Sequence, residues 1–157
     1  MLFELEAYLT LENIYLWSNF FVIPFWLLLA FAPSSKVTQI FVNSVILPLI
    51  LATSYVYVIY QIILIDEPIF NFFRLYLSLD DLYTVLSSES FLVVVWLHFV
   101  SLNLFLGSWI SRDAVKHNIS RTVVFFPLIL VYFSGPVGLV LYWLIRVFYA
   151  KKLGFHD

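Results

Sequence analysis

Long apolar runs constrain this chain more than any other sequence feature. Four stretches are apolar enough to cross a bilayer, at about 13–32, 39–65, 90–111 and 122–148, since about 20 residues cover a hydrocarbon core of about 30 Å. The chain is 63% hydrophobic and 11% charged, whereas a soluble domain has about 25% charged residues. The sequence therefore predicts an all-α integral membrane protein, a single domain over 1–157 built as a bundle of four transmembrane helices.

Composition also excludes several classes of function. The chain has no cysteine, which removes disulfides, thiolate nucleophiles and iron–sulfur clusters. Its net charge is −2 with no basic block, which argues against nucleic acid as a partner. The three histidines are far apart in sequence, so no metal site is predicted, and no cofactor is expected. The predicted partner is the lipid bilayer.

The ends of the apolar runs give weak information on membrane location. The first run follows three glutamates and no Lys or Arg, so it does not resemble a cleaved signal or transit peptide, and we expect it to be retained. Lys and Arg divide equally between the two sides of a four-span arrangement, which favours neither orientation. The acidic N-terminal tail opposite Lys36 leads us to expect both termini outside.

Residues 66–88 are too polar to cross a bilayer and too aromatic for a free loop. The sequence Ser78-Leu79-Asp80-Asp81 is typical of a capping box that starts a short helix. We therefore predict an interfacial amphipathic segment between spans two and three.

The third apolar run contains polar residues at positions where apolar, lipid-facing side chains would be expected. On a helix, one face presents an imidazole, hydroxyls and a guanidinium, and the opposite face places Asn103 beside Gly107, where a glycine permits close helix approach. The first face comprises His98, Ser101, Phe105, Ser108, Trp109 and Arg112; Trp96 joins the second. An ionisable residue within a span is a candidate functional site.

Three interpretations of His98 stay open. It could be a packing histidine that hydrogen-bonds another helix, an acid–base group that exchanges protons near neutral pH, or a haem ligand. The haem interpretation is weak because His117 and His156 lie outside the predicted spans. In each case we expect the ring not to point at lipid, where it would lack a partner.

The other polar residues have simpler expectations. Asn19 and Asn103 are typical of hydrogen bonds between membrane helices. Arg112, Asp113 and Arg121 are predicted interfacial charges at a solvated helix end, with Arg121 able to pair with Asp113. Arg146 is expected to reach the headgroups as a snorkelling cation. Pro136, flanked by glycines, predicts a bend in the fourth span and a widened pocket beside His98.

Together these residues resemble the small membrane family of abscisic-acid-deficient-four proteins. The resemblance rests on Trp96-x-His98, on Asn103-Leu104-Phe105-x-Gly107-x-Trp109 with Asp113, and on Gly135-Pro136-x-Gly138-Leu139. It extends to the first span through Asn19, Pro24, Trp26 and Pro33 and covers nearly the whole chain. The family pattern has an aspartate in place of Asn103 and commonly an arginine in place of Ser108.

The resemblance implies chemistry on a carotenoid. Plant members of the family are implicated in neoxanthin synthesis, an isomerase-type rearrangement without net redox change that needs an acid to open an epoxide and a base to remove a proton. It implies His98 and Asn103 as the catalytic positions. It implies a ligand-binding set of Trp96, Ser101, Ser108, Trp109, Asn19 and Pro136. Asn103 cannot exchange a proton near neutral pH, so a changed reaction is also implied.

Two functions are therefore carried forward, with a third considered. The first is an enzyme, or the membrane partner of one, that acts on a carotenoid or related isoprenoid within the bilayer. The second is a non-catalytic protein that binds lipid or pigment, or that scaffolds a partner enzyme. A channel is disfavoured because the spans lack a charged array.

Overall fold

The computed structural model describes residues 9–44, 46–65 and 76–150, apart from the side chains of Pro48 and Ile65. This part of the chain is helical, without a strand. In chain order the helices are α1 (Leu11–Phe31), α2 (Lys36–Phe41), α3 (Ile46–Ile65), α4 (Leu79–Leu86), α5 (Glu89–Lys116) and α6 (Arg121–Ala150).

Three of these helices, α1, α5 and α6, are long and apolar enough to cross a membrane. A further helix, α3, contains the shorter apolar stretch Leu49–Leu64. The predicted all-helical membrane protein is therefore confirmed, while the count of four spans stays a prediction.

The predicted second span, about 39–65, is not one helix. The chain leaves α2 at Val42 and starts α3 at Ile46, where the backbone nitrogen of Ile46 donates to Ser44 Oγ at 3.2 Å. This break places Pro48 in the first turn of α3, where its missing N–H costs nothing because first-turn N–H groups have no helical partner. A continuous helix over 39–65 would have placed the same proline in its interior.

The predicted capping box at Ser78 starts α4, as the backbone nitrogen of Asp81 donates to Ser78 Oγ at 3.4 Å. No side chain of α4 is buried. The predicted interfacial role of residues 66–88 stays a prediction, and its first ten residues lie outside the described part of the chain.

The helix α6 folds back on itself. Ser134 leaves helical geometry, with φ −155° and ψ 63°, and divides α6 into a first arm (121–133) and a second arm (135–150). A Cβ built on Gly138 would contact the backbone nitrogen of Val131 and lie 2.7 Å from the carbonyl oxygen of Pro127. Residues 11 positions apart are about 16 Å apart along a straight α-helix, so the second arm must return beside the first.

The described residues form two compact units. The first comprises residues up to Phe20 together with Leu49–Phe99, and the second comprises Phe21–Pro48 and the residues from Val100 onward. In the first unit, α1, α3 and α5 contribute a core of Ile14, Val58, Val93, Val94 and Leu97. In the second unit, α1, α5 and both arms of α6 contribute buried apolar residues that include Val22, Leu29, Leu104, Ile110 and Val131.

Candidate functional site

An ion pair between Asp113 and Arg146 is buried in the second unit. Arg146 Nε donates to Asp113 Oδ2 at 2.7 Å, and the Tyr142 hydroxyl donates to the same oxygen at 2.7 Å. The Arg146 side chain is 0% exposed and that of Asp113 is 9% exposed. Charges in apolar surroundings persist when they are paired and hydrogen-bonded, and both conditions hold for this pair.

His117 extends the pair into a four-residue polar network. Its Nε2 lies 3.6 Å from Asp113 Oδ1 and 3.3 Å from Arg146 Nη2. A ring nitrogen donates or accepts according to the tautomer, so the same imidazole nitrogen serves either the carboxylate or the guanidinium. The side chain is 14% exposed, which places the imidazole at the edge of the buried pair.

This network corrects three expectations. Asp113 lies in the last turn of α5, but its side chain is 9% exposed and paired with Arg146, so it is not a solvated charge. Its partner is Arg146, and Arg121 donates instead to the carbonyl oxygen of Phe31 at 3.2 Å. Arg146 does not reach headgroups as a snorkelling cation, because the fold-back of α6 brings it beside Asp113. Arg112 is exposed, as expected of an interfacial charge.

The spacing of polar residues in the sequence indicates this network. Asp113 and His117 are four residues apart on α5, and Tyr142 and Arg146 are four residues apart on α6. Side chains at this spacing lie on one helix face. Each helix therefore presents a matched polar pair, although only the fold-back brings the two pairs together.

The bend of α6 lies against Asn103. A Cβ on Gly135 would contact the Asn103 Oδ1 atom, so the absence of a side chain at 135 makes room for the amide. Asn103 is 7% exposed, and its Nδ2 has no hydrogen-bond partner among the described residues. The sequence predicted a bend with a pocket beside His98, but the predicted site residue in contact with the bend is Asn103. Pro136 itself is exposed.

Other predicted residues of the second unit pack between its helices. A Cβ on Gly107 would lie 2.6 Å from ring carbons of Trp26, so the predicted close helix approach at this glycine is confirmed. Ser108 Oγ donates to Asn43 Oδ1 at 2.7 Å. The ring of Trp109 meets that of Tyr142 edge-on at 5.8 Å, which connects the predicted set to the buried network.

In the first unit, Trp96 and Asn19 form the expected link between α5 and α1, with Trp96 Nε1 donating to Asn19 Oδ1 at 3.0 Å. His98 differs from expectation, because its side chain is exposed and its ring lies 6.2 Å from that of Tyr55. Leu97 takes the buried position against the core, and each successive helical residue turns by about 100°, which rotates His98 away from it. Ser101 belongs to the second unit and is half-buried.

An apolar groove of about 590 Å³ lies along the two arms of α6. Its lining residues are Thr122, Val123, Phe126, Ile129, Leu130, Leu141 and Ile145. Residues 122 and 145 would be about 34 Å apart on a straight helix, so the groove is a product of the fold-back. Such a surface suits a hydrocarbon ligand.

Ionisable side chains do not gather into a metal site in the described ranges, where no group of three or more His, Cys, Asp or Glu could hold an ion. The network at Asp113 combines one carboxylate with one guanidinium. Its contacts join α5 to the second arm of α6.

Comparison with known proteins identifies the family. The curated proteins and the solved structures gave no match. A family model described as ABA DEFICIENT 4-like matches residues 13–142. This match spans α1 to α5 and α6 as far as Tyr142, so the chain belongs to the ABA4-like family.

Proposed function

We propose that this protein binds a carotenoid or related isoprenoid within the bilayer and acts on it by an isomerase-type rearrangement. The membrane is proposed to be a bacterial inner membrane or a thylakoid-type membrane. The observation that carries the proposal is the apolar groove along the two arms of α6, in a chain that belongs to the ABA4-like family.

The groove supports a long apolar ligand. Among its lining side chains only Thr122 is polar, and Phe126 and Ile129 are exposed within it. Burial of apolar surface contributes about 25 cal/mol per Å², although a ligand that leaves lipid gains less because acyl chains are apolar too. Shape and the placement of a few polar groups would therefore decide which isoprenoid binds.

Acid–base chemistry is proposed for His98, whose side chain is exposed in the first unit and carries an imidazole, the commonest acid–base group of enzymes. The Asp113 carboxylate is already held by Arg146 and Tyr142. The Asn103 amide cannot exchange a proton.

A second candidate function is binding without turnover, by a protein that binds lipid or pigment or that scaffolds a membrane enzyme. Asn103 favours this second candidate, because its buried amide can form hydrogen bonds with a ligand but cannot transfer a proton to it. His98→Ala separates the two candidates, since an enzyme would lose turnover and a carrier would retain its ligand.

The test is expression in a bacterium that produces epoxy-, hydroxy- and unsubstituted carotenoids, followed by analysis of whole-cell and co-purifying pigments. We expect bound carotenoid in the purified protein and a new isomer of equal mass in the cells. A bound carotenoid with an unchanged profile would favour the carrier. Protein that co-purifies with phospholipid alone would contradict carotenoid binding and would favour the lipid-binding or scaffolding form of the second candidate.

Filling the groove should abolish binding. Ile129→Trp places an indole among the groove side chains and is expected to reduce bound carotenoid at least tenfold, because a well-packed ligand has no room beside it. Leu144→Trp is a matched control, since Leu144 is an exposed aliphatic residue of the same helix that does not line the groove. Equal losses in the two variants would argue against the groove as the binding site.

A further inference from the structure

The amide of Asn103 has hydrogen-bonding capacity that the described protein does not use. Its Nδ2 is enclosed and has no acceptor among the described residues, and the residue is 7% exposed. A buried donor without a partner destabilises the folded protein. Buried polar groups in native proteins nearly always have a partner, so an orphaned donor needs an explanation such as a ligand or a bound water.

This amide lies against an irregular stretch of α6. Asn103 lies at the bend of α6, where Ser134 is non-helical and Gly135 contributes no side chain. Pro136 has no N–H to donate to the carbonyl of Tyr132, the usual helical partner. Irregular backbone at membrane depth is tolerated where it is buried or lines a cavity, and broken helices form substrate sites in transporters.

We propose that the bend of α6 is the binding site for the polar end of an oxygenated isoprenoid, and that Asn103 Nδ2 donates to its hydroxyl, epoxide or carbonyl oxygen. This inference rests on the proposed function. We expect the ligand oxygen to be neutral, because Arg146, the arginine of the second arm, is paired with Asp113. Asn103 is a positioning residue that selects oxygenated over unsubstituted ligands.

The test compares two carotenoids of equal length, one with a hydroxyl or epoxide on its end ring and one without, on purified protein in nanodiscs. Wild type should bind the oxygenated ligand about five- to tenfold more tightly, the range expected for one added hydrogen bond. Asn103→Leu, which keeps the side-chain volume, should bind both ligands equally. Its unligated form should be at least as stable as wild type, because the orphaned donor is gone.

The outcomes separate this inference from the proposed function. Binding of neither carotenoid by wild type would overturn both. Equal binding of the two by wild type would leave the proposed function in place and assign the donor to a bound water. A selectivity that survives in Asn103→Leu would also overturn the role of Asn103.

A second inference concerns topology and rests on charge. We infer that α6 is re-entrant, entering the membrane and returning to the side from which it came. Each arm holds fewer residues than the about 20 that a span needs. Arg146 in the second arm contacts His117, which lies just before the first arm begins at Arg121.

The distribution of cations supports this topology. With three crossings, by α1, α3 and α5, the five described Lys and Arg residues lie by chain connectivity on one side: Lys36, Arg112, Lys116, Arg121 and Arg146. A fourth crossing by α6 would place Arg146 on the opposite side from the other four and would weaken the charge bias. The re-entrant arrangement therefore places this cation-bearing side in the cytoplasm.

Single cysteines can test this directly, because the chain has none of its own. Ser120→Cys and Tyr149→Cys should react with an impermeant maleimide only from the cytoplasmic side, and Ser87→Cys only from outside. All three positions are exposed. Labelling of Tyr149→Cys from the same side as Ser87→Cys would show that α6 crosses the membrane and would overturn the inference.

Discussion

Asp113→Leu is expected to lower the free energy of unfolding by about 3–5 kcal/mol, the cost of breaking a buried ion pair by removing one partner. The substitution leaves the fully buried Arg146 without its carboxylate, and Tyr142 loses the acceptor of its hydroxyl. Unfolding in mixed micelles of increasing SDS fraction, followed by tryptophan fluorescence, would measure the loss.

Two further variants identify the cause. The double variant Asp113→Leu with Arg146→Met should recover most of the loss, because apolar replacement of both buried charges is often neutral or stabilising. Arg112→Leu changes the exposed neighbour on the same helix and should stay within about 0.5 kcal/mol of wild type. A double variant as unstable as the single one would rule out the unpaired guanidinium as the source.

Gly138→Ala is expected to destabilise the fold by about 1–3 kcal/mol through overpacking. The added methyl would meet the backbone of the first arm at Val131 and Pro127. Backbone atoms cannot rotate away, so the two arms must separate. Spin labels at positions 122 and 145, which line the same groove, would report a longer distance between the arms.

Gly135→Ala provides the comparison. Its added methyl would meet the Oδ1 atom of Asn103, the end of a side chain, so combination with Asn103→Ala should restore stability. Val131→Ala should not rescue Gly138→Ala, because the backbone contacts remain. Rescue by Val131→Ala would show that the Val131 side chain, and not the backbone, limits the approach of the arms.

The apolar runs predict the long helices well because burial of their side chains in lipid depends on composition and length. The path of α6 does not follow from composition. Pro136 with its neighbouring glycines indicates a bend, but a straight helix and a folded one have the same hydropathy, and only the contact of Gly138 with Pro127 distinguishes them.

The candidate site was harder to predict for the same reason. Asp113 and Arg146 were predicted to be solvated charges because each lies near the end of an apolar run. Their pairing depends on the fold-back of α6, which the sequence does not reveal. The exposure of His98 depends on helix rotation, since Leu97 takes the core position. Trp96 and Asn19, by contrast, were expected as a link between helices and are hydrogen-bonded.

The burial of Arg146 bears on where the C-terminal boundary of a truncated version can lie. The family match ends at residue 142, so a fragment cut there would retain the whole matched stretch, the Asp113 carboxylate and the Tyr142 hydroxyl. It would lack the guanidinium that neutralises that carboxylate. A boundary drawn from the matched stretch therefore cuts through a charge-balanced unit, and a truncated version needs at least one further helical turn of α6 to keep its interior electrically neutral.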